Sequence, residues 1–248
     1  MKPGVVFLCA IALSVASAGA DPDTASKRFE SGPGRVALLE LYTSEGCSSC
    51  PPADRWLREL KSDPRLWKDF VPVAFHVDYW DYIGWEDRFA RPAFSHRQRR
   101  YVADGRASTV YTPGLFNNGE EWRGWFRGEA PSFDPAPVGA LSLTLDGDRV
   151  SVRFEPPDDE HGDLEVQIAI LGMGLETEVR AGENRGRTLR HDFVLLELIS
   201  RPLDKGDGGF LASAALPGLA EDPTRRALVA WVSRRGDQAP IQSVGGFL

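Results

Sequence analysis

Cysteine is nearly absent from this chain: there are three in 248 residues, at Cys9, Cys47 and Cys50. That excludes a disulfide-rich scaffold. Two methionines are too few for a Met-rich copper carrier. Basic side chains are in deficit, 29 against 36 acidic, for a formal charge of −7. Without a basic surface to neutralise phosphates, no nucleic-acid partner is expected. Beyond the first twenty residues no apolar run is long enough for a membrane span, which takes about 20 residues. Neither GxGxxG nor GxxxxGKS occurs, so no organic cofactor is implied. There is no internal repeat. What remains is ordinary globular material, 42% hydrophobic and 26% charged. Its length allows one large domain or two small ones.

Lys2, an apolar run from Val5 to Ala16, and Ala18-Gly19-Ala20 follow one another at the start. A charged start, an apolar core and small residues before a cut read as a secretory signal peptide over 1–20, cleaved after Ala20 or Ala18. The alternative is an uncleaved anchor. Cleavage removes Cys9 and Lys2, leaving 28 basic against 36 acidic residues, or −8, and only Cys47 and Cys50. The expected location is therefore secreted or periplasmic, where two cysteines can oxidise.

Residues 21–34 are polar and rich in Gly and Pro, and read as a loose lead-in. Val36 to Tyr42 is a nearly continuous apolar run, the pattern of a buried strand. Thr43-Ser44-Glu45-Gly46 is a turn signal. After Pro51-Pro52, Ala53, Trp56, Leu57 and Leu60 recur at helical spacing, with Asp54 in the first turn and Asp63-Pro64 as the stop. A second strand is expected over Val71–Val77, then an aromatic stretch and a polar helix with Phe94, Arg97 and Tyr101. A third strand over Val110–Phe116 is broken by Pro113. Asn117-Asn118-Gly119 reads as a hairpin turn into a return strand from Glu121 to Phe126. Together these predict an α/β domain with a mixed sheet over 35–130, including a helical insertion. Three prolines between Pro131 and Pro137 mark a boundary. Short strands over 138–248, among them 164–171, 175–181, 189–198 and 227–234, then predict a β-rich, sandwich-like second domain.

The strongest chemical signal is Cys47-Ser48-Ser49-Cys50, between a buried strand and a helix. A helix start favours a thiolate, the form that attacks disulfides. A second cysteine at this spacing can resolve the mixed disulfide. Two other readings compete. One is a structural bridge, although so small a loop restricts the unfolded chain by only about 2 kcal/mol. The other is a soft-metal site for copper or zinc built from Cys47, Cys50 and His76, with Asp78 as an oxygen donor. A closed zinc site needs four ligands, and there is no second Cys pair.

Four segments carry a resemblance: Leu39–Asp54 (LELYTSEGCSSCPPAD), Phe75–Trp85 (FHVDYWDYIGW), Val110–Gly119 (VYTPGLFNNG) and Gly182–Asp192 (GENRGRTLRHD). The chain resembles the thioredoxin superfamily and, within it, a family of secreted thioredoxin-like proteins whose activity is not assigned. The resemblance implies thiol–disulfide exchange on a protein or peptide partner. Cys47 would be the exposed nucleophile and Cys50 the resolving thiol. Pro113 would match the superfamily's cis-proline, with Thr112 before it pairing with substrate backbone. Glu40 would match a buried carboxylate behind the resolving thiol, where a raised pKa suits proton transfer; the competing reading is an edge glutamate with its head in water. This sequence departs from the pattern at Gly46, where an aromatic is usual, and at Ser48-Ser49. No cation adjoins Cys47, so activation rests on the helix start and on hydroxyl hydrogen bonds. Pro51 and Pro52 disfavour helical geometry at Cys50 and predict a later helix start.

Weaker signals surround this one. His76 and Asp78 share a side at a strand's carboxyl end, where functional groups gather. They read as a ligand or proton shuttle, or as a satisfied histidine in the sheet. Tyr79, Trp80, Tyr82 and Trp85 read as a peptide-binding wall, with Tyr79 and Trp80 as substrate contacts, or as core filling. Arg97, Arg99, Arg100 and Arg106 read as a solvated face. Arg185, Arg187, Arg190 and His191 read as a domain-interface or anion contact, or as an exposed hairpin.

Overall fold

A computed structural model describes Met1 and residues 26–157, 162–216 and 226–248. Apart from Met1, the signal-peptide stretch and Cys9 lie outside the described residues. The chain is a mixed α/β structure, mostly strand. In order it runs β1 (Lys27–Glu30), β2 (Ala37–Thr43), α1 (Pro51–Glu59), β3 (Phe70–His76), α2 (Pro92–Ala103), β4 (Gly114–Asn117) and β5 (Glu120–Glu121). Then come β6 (Ala140–Asp146), β7 (Arg149–Glu155), β8 (Leu164–Gly172), β9 (Leu175–Glu178) and β10 (Thr188–His191). The last elements are β11 (Val194–Pro202), β12 (Asp204–Gly206), β13 (Gly209–Ala215), β14 (Arg226–Arg234) and β15 (Pro240–Phe247).

Eight strands form one mixed sheet in the order β15-β14-β8-β11-β3-β2-β4-β5. β2 runs parallel to β3, and β3 parallel to β11; the other pairs are antiparallel. Strands from both sides of the Pro131–Pro137 stretch therefore share this sheet, joined where Val194 pairs with Ala74. A five-stranded antiparallel sheet, β1-β6-β7-β13-β12, and the β9–β10 ribbon complete the strands.

The period-2 rule explains the continuous apolar runs of the central strands. In β14, Leu228, Ala230 and Val232 enter a core shared with β6, β7 and β13. Ala227, Val229 and Trp231 enter the other core, shared with β2, β3 and both helices. β8 divides likewise, with Val166, Ile168 and Ile170 on one side and Ala169 and Leu171 on the other. A strand with a core on each face has no polar side to show.

Four local expectations change. The lead-in carries β1, held by pairing with β6 and by the Phe29 ring, which occupies the space where a Cβ on Gly246 would stand. The return strand after Asn118-Gly119 is only β5; the chain then turns through a 3-10 segment, Gly124–Arg127, closed by Gly128 at φ 70°. The third strand begins after Pro113, whose peptide bond with Thr112 is cis. The stretch 189–198 splits into β10 and β11 at Phe193, whose φ of 58° breaks the extended run.

The helix starts follow proline chemistry. Arg91, before Pro92, is extended (φ −139°, ψ 138°), and α2 begins at the proline. At α1 the rule yields: Cys50 is itself helical (φ −77°, ψ −37°), and α1 begins at Pro51 rather than later. Two prolines at the first positions forfeit only N–H groups that would lack helix partners anyway. The Cys50 carbonyl accepts from the Ala53 and Asp54 N–H groups, which secures its geometry.

Candidate functional site

β2 delivers the chain to the turn at Ser44–Gly46, and α1 leaves from Cys50. Between them Cys47 and Cys50 form a disulfide, with Cα atoms 5.4 Å apart. The Cys47 N–H donates to the Ser44 carbonyl and the Cys50 N–H to the Cys47 carbonyl. The Ser49 hydroxyl lies 3.2 Å from the Cys47 sulfur and 3.5 Å from the Thr112 carbonyl oxygen. That oxygen is 3.9 Å from the same sulfur. Thr112 is fixed from its other end, where Trp80 Nε1 donates to its Oγ1 at 2.7 Å. Tyr79 donates to Gln98 Oε1 at 3.0 Å, and burial pushes its phenol up. The sequence-predicted Cys47, Cys50, Thr112, Pro113 and Trp80 thus meet at one place.

Gly46 has a steric reason. A Cβ there would stand 3.0 Å from the Trp80 Cβ and 3.3 Å from Ile83 Cδ1. An aromatic at this position would occupy the space Trp80 fills.

Exposure corrects one expectation. Both cysteines are 0% exposed, so Cys47 is not an open nucleophile in this conformation. The turn before β10 packs on this loop and hydrogen-bonds its backbone. Glu183 accepts from the Ser48 N–H at 3.0 Å. Asn184, itself fully buried, donates through Nδ2 to the carbonyls of Glu45 and Cys47, each at 2.9 Å. Arg187 in turn donates to Asn184 Oδ1 at 2.8 Å.

Glu40 is fully buried, so the solvent-facing reading fails, but its carboxylate is engaged with α2. Arg97 donates to both oxygens, at 2.9 and 3.1 Å, and the hydroxyls of Tyr42 and Tyr101 donate at 2.8 and 2.6 Å. Those four bonds lead to none of the site's sulfurs. Arg97 is likewise not on a solvated face: its side chain is only 12% exposed. Burial opposes its charge, but Glu40 outweighs burial and holds the guanidinium protonated.

A second buried cluster, unread in the sequence, stands beside the disulfide loop. His76 Nδ1 is 2.7 Å from Asp87 Oδ2, and both side chains are fully buried. Asp87 also accepts the N–H groups of Glu45 and Phe89. Trp85 Nε1 donates to Glu45 Oε2 at 2.8 Å, and His191 Nε2 lies 3.4 Å from Glu45 Oε1. The two histidine rings meet edge to face, 4.9 Å between centroids. His76 and Asp78 therefore part company: Asp78 takes the Ser95 hydroxyl instead. Among the described residues no group of three or more His, Cys, Asp or Glu is arranged to hold a metal ion. Glu45, Asp87 and Asn184 are the site residues sequence reasoning missed, and His191 was read only as an interface or anion contact or as part of an exposed hairpin. Asn184 and His191 do fall inside the GENRGRTLRHD segment, which is the signal that could have found them.

A family model described as a protein of unknown function, DUF1223, matches residues 38–233. The chain belongs to that family. The match covers β2 through most of β14, so the disulfide loop and the Asn184 turn both lie within the family's defining region. In structure the chain is similar to protein AGR_C_4864 from Agrobacterium tumefaciens, at TM-score 0.61 and 23% identity, over 86% of this chain and 94% of that one. It is also similar to HBP35 of Porphyromonas gingivalis, at TM-score 0.54 and 14% identity, over 88% and 76%. At such identities these likenesses speak to fold alone. No curated protein matches the sequence.

The His76–Asp87 pair predicts a pH profile. Burial works against a charged His76, but Asp87 outweighs it and raises the imidazole above its ordinary 6.5. Burial works against a charged Asp87 too, and His76 outweighs it, holding the carboxyl below 3.8. The raised histidine contributes stability that is whole below pH 6.5 and lost as pH rises through its folded value. The lowered aspartate contributes above 3.8 and loses its share as pH falls through its own. Asp54, raised chiefly by burial, disfavours the folded state once it ionises. Urea midpoints of the wild type are therefore expected to fall on the alkaline side of neutrality. Asp87→Asn should flatten that fall, because His76 then loses the partner that raises it. An alkaline fall of equal size in both proteins would remove the pair from the account.

Proposed function

We propose that this chain is an exported, thioredoxin-like thiol–disulfide exchange protein, secreted or periplasmic, acting on protein or peptide partners through Cys47 and Cys50. The observation that carries the reading is the Cys47 sulfur 3.9 Å from the Thr112 carbonyl, at a strand end where a helix begins. A substrate strand needs that carbonyl as acceptor and that sulfur as electrophile or nucleophile. In this reading residues 35–130 form the thioredoxin-like part, 138–248 the β-rich, sandwich-like part, and residues 1–20 the leader.

In the reduced protein the Cys47 thiolate attacks one sulfur of a substrate disulfide. The substrate's S–S bond breaks and its other sulfur leaves as thiolate. The Cys50 thiolate then attacks the Cys47 sulfur, closing the Cys47–Cys50 bond and releasing the second substrate thiolate. Substrate is reduced and the protein oxidised; the reverse sequence oxidises a substrate dithiol. Asp54, one helical turn after Cys50 and raised by burial, suits the resolving proton better than Glu40, which Arg97 engages. Because both cysteines are buried, the site has to open before a substrate docks on Thr112 and Pro113, and in this reading the Glu183–Asn184 turn, bonded to the loop's backbone, is the part that yields.

The same cover favours a second reading, a structural disulfide in a non-catalytic binding module. Insulin reduction, the reduction potential and metal content of wild type and Cys47→Ser separate the possibilities. We expect insulin reduction by the wild type, abolished in Cys47→Ser. No turnover with a potential below about −300 mV makes the bridge structural. Stoichiometric zinc or copper on the reduced wild type without turnover makes the cysteines ligands, with His76 as the expected third.

A further inference from the structure

A cavity of about 180 Å³ opens between the first two turns of α1 and β10. Arg55 and Arg58 line it from the helix, and Arg187, Arg190 and His191 from the facing segment. Among the described residues, Arg190 alone of the four guanidiniums has a carboxylate partner, Glu176 at 2.8 Å. Arg58 reaches the Arg190 backbone carbonyl and Arg187 the Asn184 amide oxygen, both neutral acceptors. Arg55 makes no ion pair among the described residues.

A protein with a formal charge of −7 thus gathers four cations around one small cavity and leaves three without counter-charge. Mutual repulsion between these solvated groups is modest, and an entering anion relieves it. The only acid on the wall, Asp54, is buried, and burial disfavours its charged form. On the floor His191 is 2% exposed; its Nε2 faces the Glu45 carboxylate at 3.4 Å, while its Nδ1 makes no hydrogen bond among the described residues. A buried ring nitrogen without a hydrogen-bond partner marks a place where one is missing. The start of α1 helps through its dipole alone, since Pro51 and Pro52 have no N–H to offer.

We propose that this cavity binds an oxyanion, phosphate or carboxylate, carried by a small molecule. Arg55 and Arg187 supply the charge-assisted hydrogen bonds, and His191 Nδ1 takes its missing partner from the same ligand. Guanidiniums suit this task because their paired N–H groups match the oxygens of both anions. The volume has room for a phosphomonoester group or a short dicarboxylate. The inference uses neither sulfur and stands apart from the redox reading.

The test is calorimetric titration of the oxidised protein with inorganic phosphate and, separately, succinate, at constant ionic strength set with chloride. We expect saturable 1:1 binding of at least one probe; which one binds identifies the anion. Arg55→Gln/Arg187→Gln should weaken it roughly tenfold or more. Both side chains are exposed, so the variant should fold, and its thermal midpoint checks that. Arg201→Gln, at the opposite end of β11, should leave binding unchanged. No saturable binding of either probe overturns the proposal. So does equal affinity in the double variant, or equal weakening in Arg201→Gln.

Discussion

Arg97→Met is expected to destabilise the protein by about 3–5 kcal/mol, the cost of leaving one member of a buried ion pair alone. Total stabilities of about 5–15 kcal/mol make that a large share. Glu40 is 0% exposed and would lose the two bonds to Arg97, keeping only the Tyr42 and Tyr101 hydroxyls. Arg97 also contacts the Gln238 carbonyl at 3.4 Å, and Gln238 Nε2 donates back to the Arg97 carbonyl at 2.8 Å. The residue therefore ties α2 both to β2 and to the segment leading into β15. The guanidinium also lies over Phe75, Tyr101 and Trp231, at 5.4–5.6 Å from their centroids. Methionine keeps much of that apolar contact, so the loss reports the guanidinium's charge together with its bonds to Glu40, Tyr101 and Gln238. Glu40→Leu/Arg97→Met should recover most of it, because no buried charge remains unpaired. Urea unfolding of both single variants and the double variant measures the coupling. A loss under about 1 kcal/mol in Arg97→Met would mean the pair behaves as a surface salt bridge.

This pair also shows where sequence reasoning stopped. The run Val36–Tyr42 declared a buried strand, and Glu40 within it was open to view as a buried acid. Its partner was not, because Arg97 is 57 residues away and sits among arginines that look like a solvated helix face. Local patterns show which residues cannot face water; they do not show which distant residue meets them. The same limit hid the cover over the disulfide. Cys-Ser-Ser-Cys at a strand-to-helix junction was plain, since spacing and turn chemistry are local. Asn184 reaches the Cys47 carbonyl only because the segment before β10 folds back across 137 residues. The Pro131–Pro137 stretch was legible as a change of composition. That strands beyond it join the first sheet was not legible, because the β11–β3 contact is a single paired position, Val194 with Ala74. Apolar runs in β8 and β14 carried a hint, since a strand buried on both faces needs material on each side.

Asn184→Ala should speed reduction of the Cys47–Cys50 bond by a small phosphine or dithiol about thirtyfold. With both cysteines fully covered, a reductant must wait for the chain to open. When opening and closing are fast, the observed rate scales with the population of the open form. Asn184 holds the closed form at three points: two donated bonds to the Glu45 and Cys47 carbonyls, and one accepted from Arg187. Alanine leaves two carbonyls without this donor. At about 1 kcal/mol for each of the two lost carbonyl bonds, with the exposed Arg187 guanidinium returning to water at little cost, the closed form gives up about 2 kcal/mol, equivalent to about thirtyfold in the open population. Thermal stability should fall as well, but the two effects separate. A destabilising change far from the loop, such as Val152→Ala in the other core, should lower the midpoint without changing the reduction rate while local opening dominates. If Asn184→Ala leaves the rate unchanged, the sulfurs are reached by another route, and the turn is a strut rather than a cover. If the rate rises and insulin reduction rises with it, the covered disulfide is the working one, and the closed conformation is its resting state.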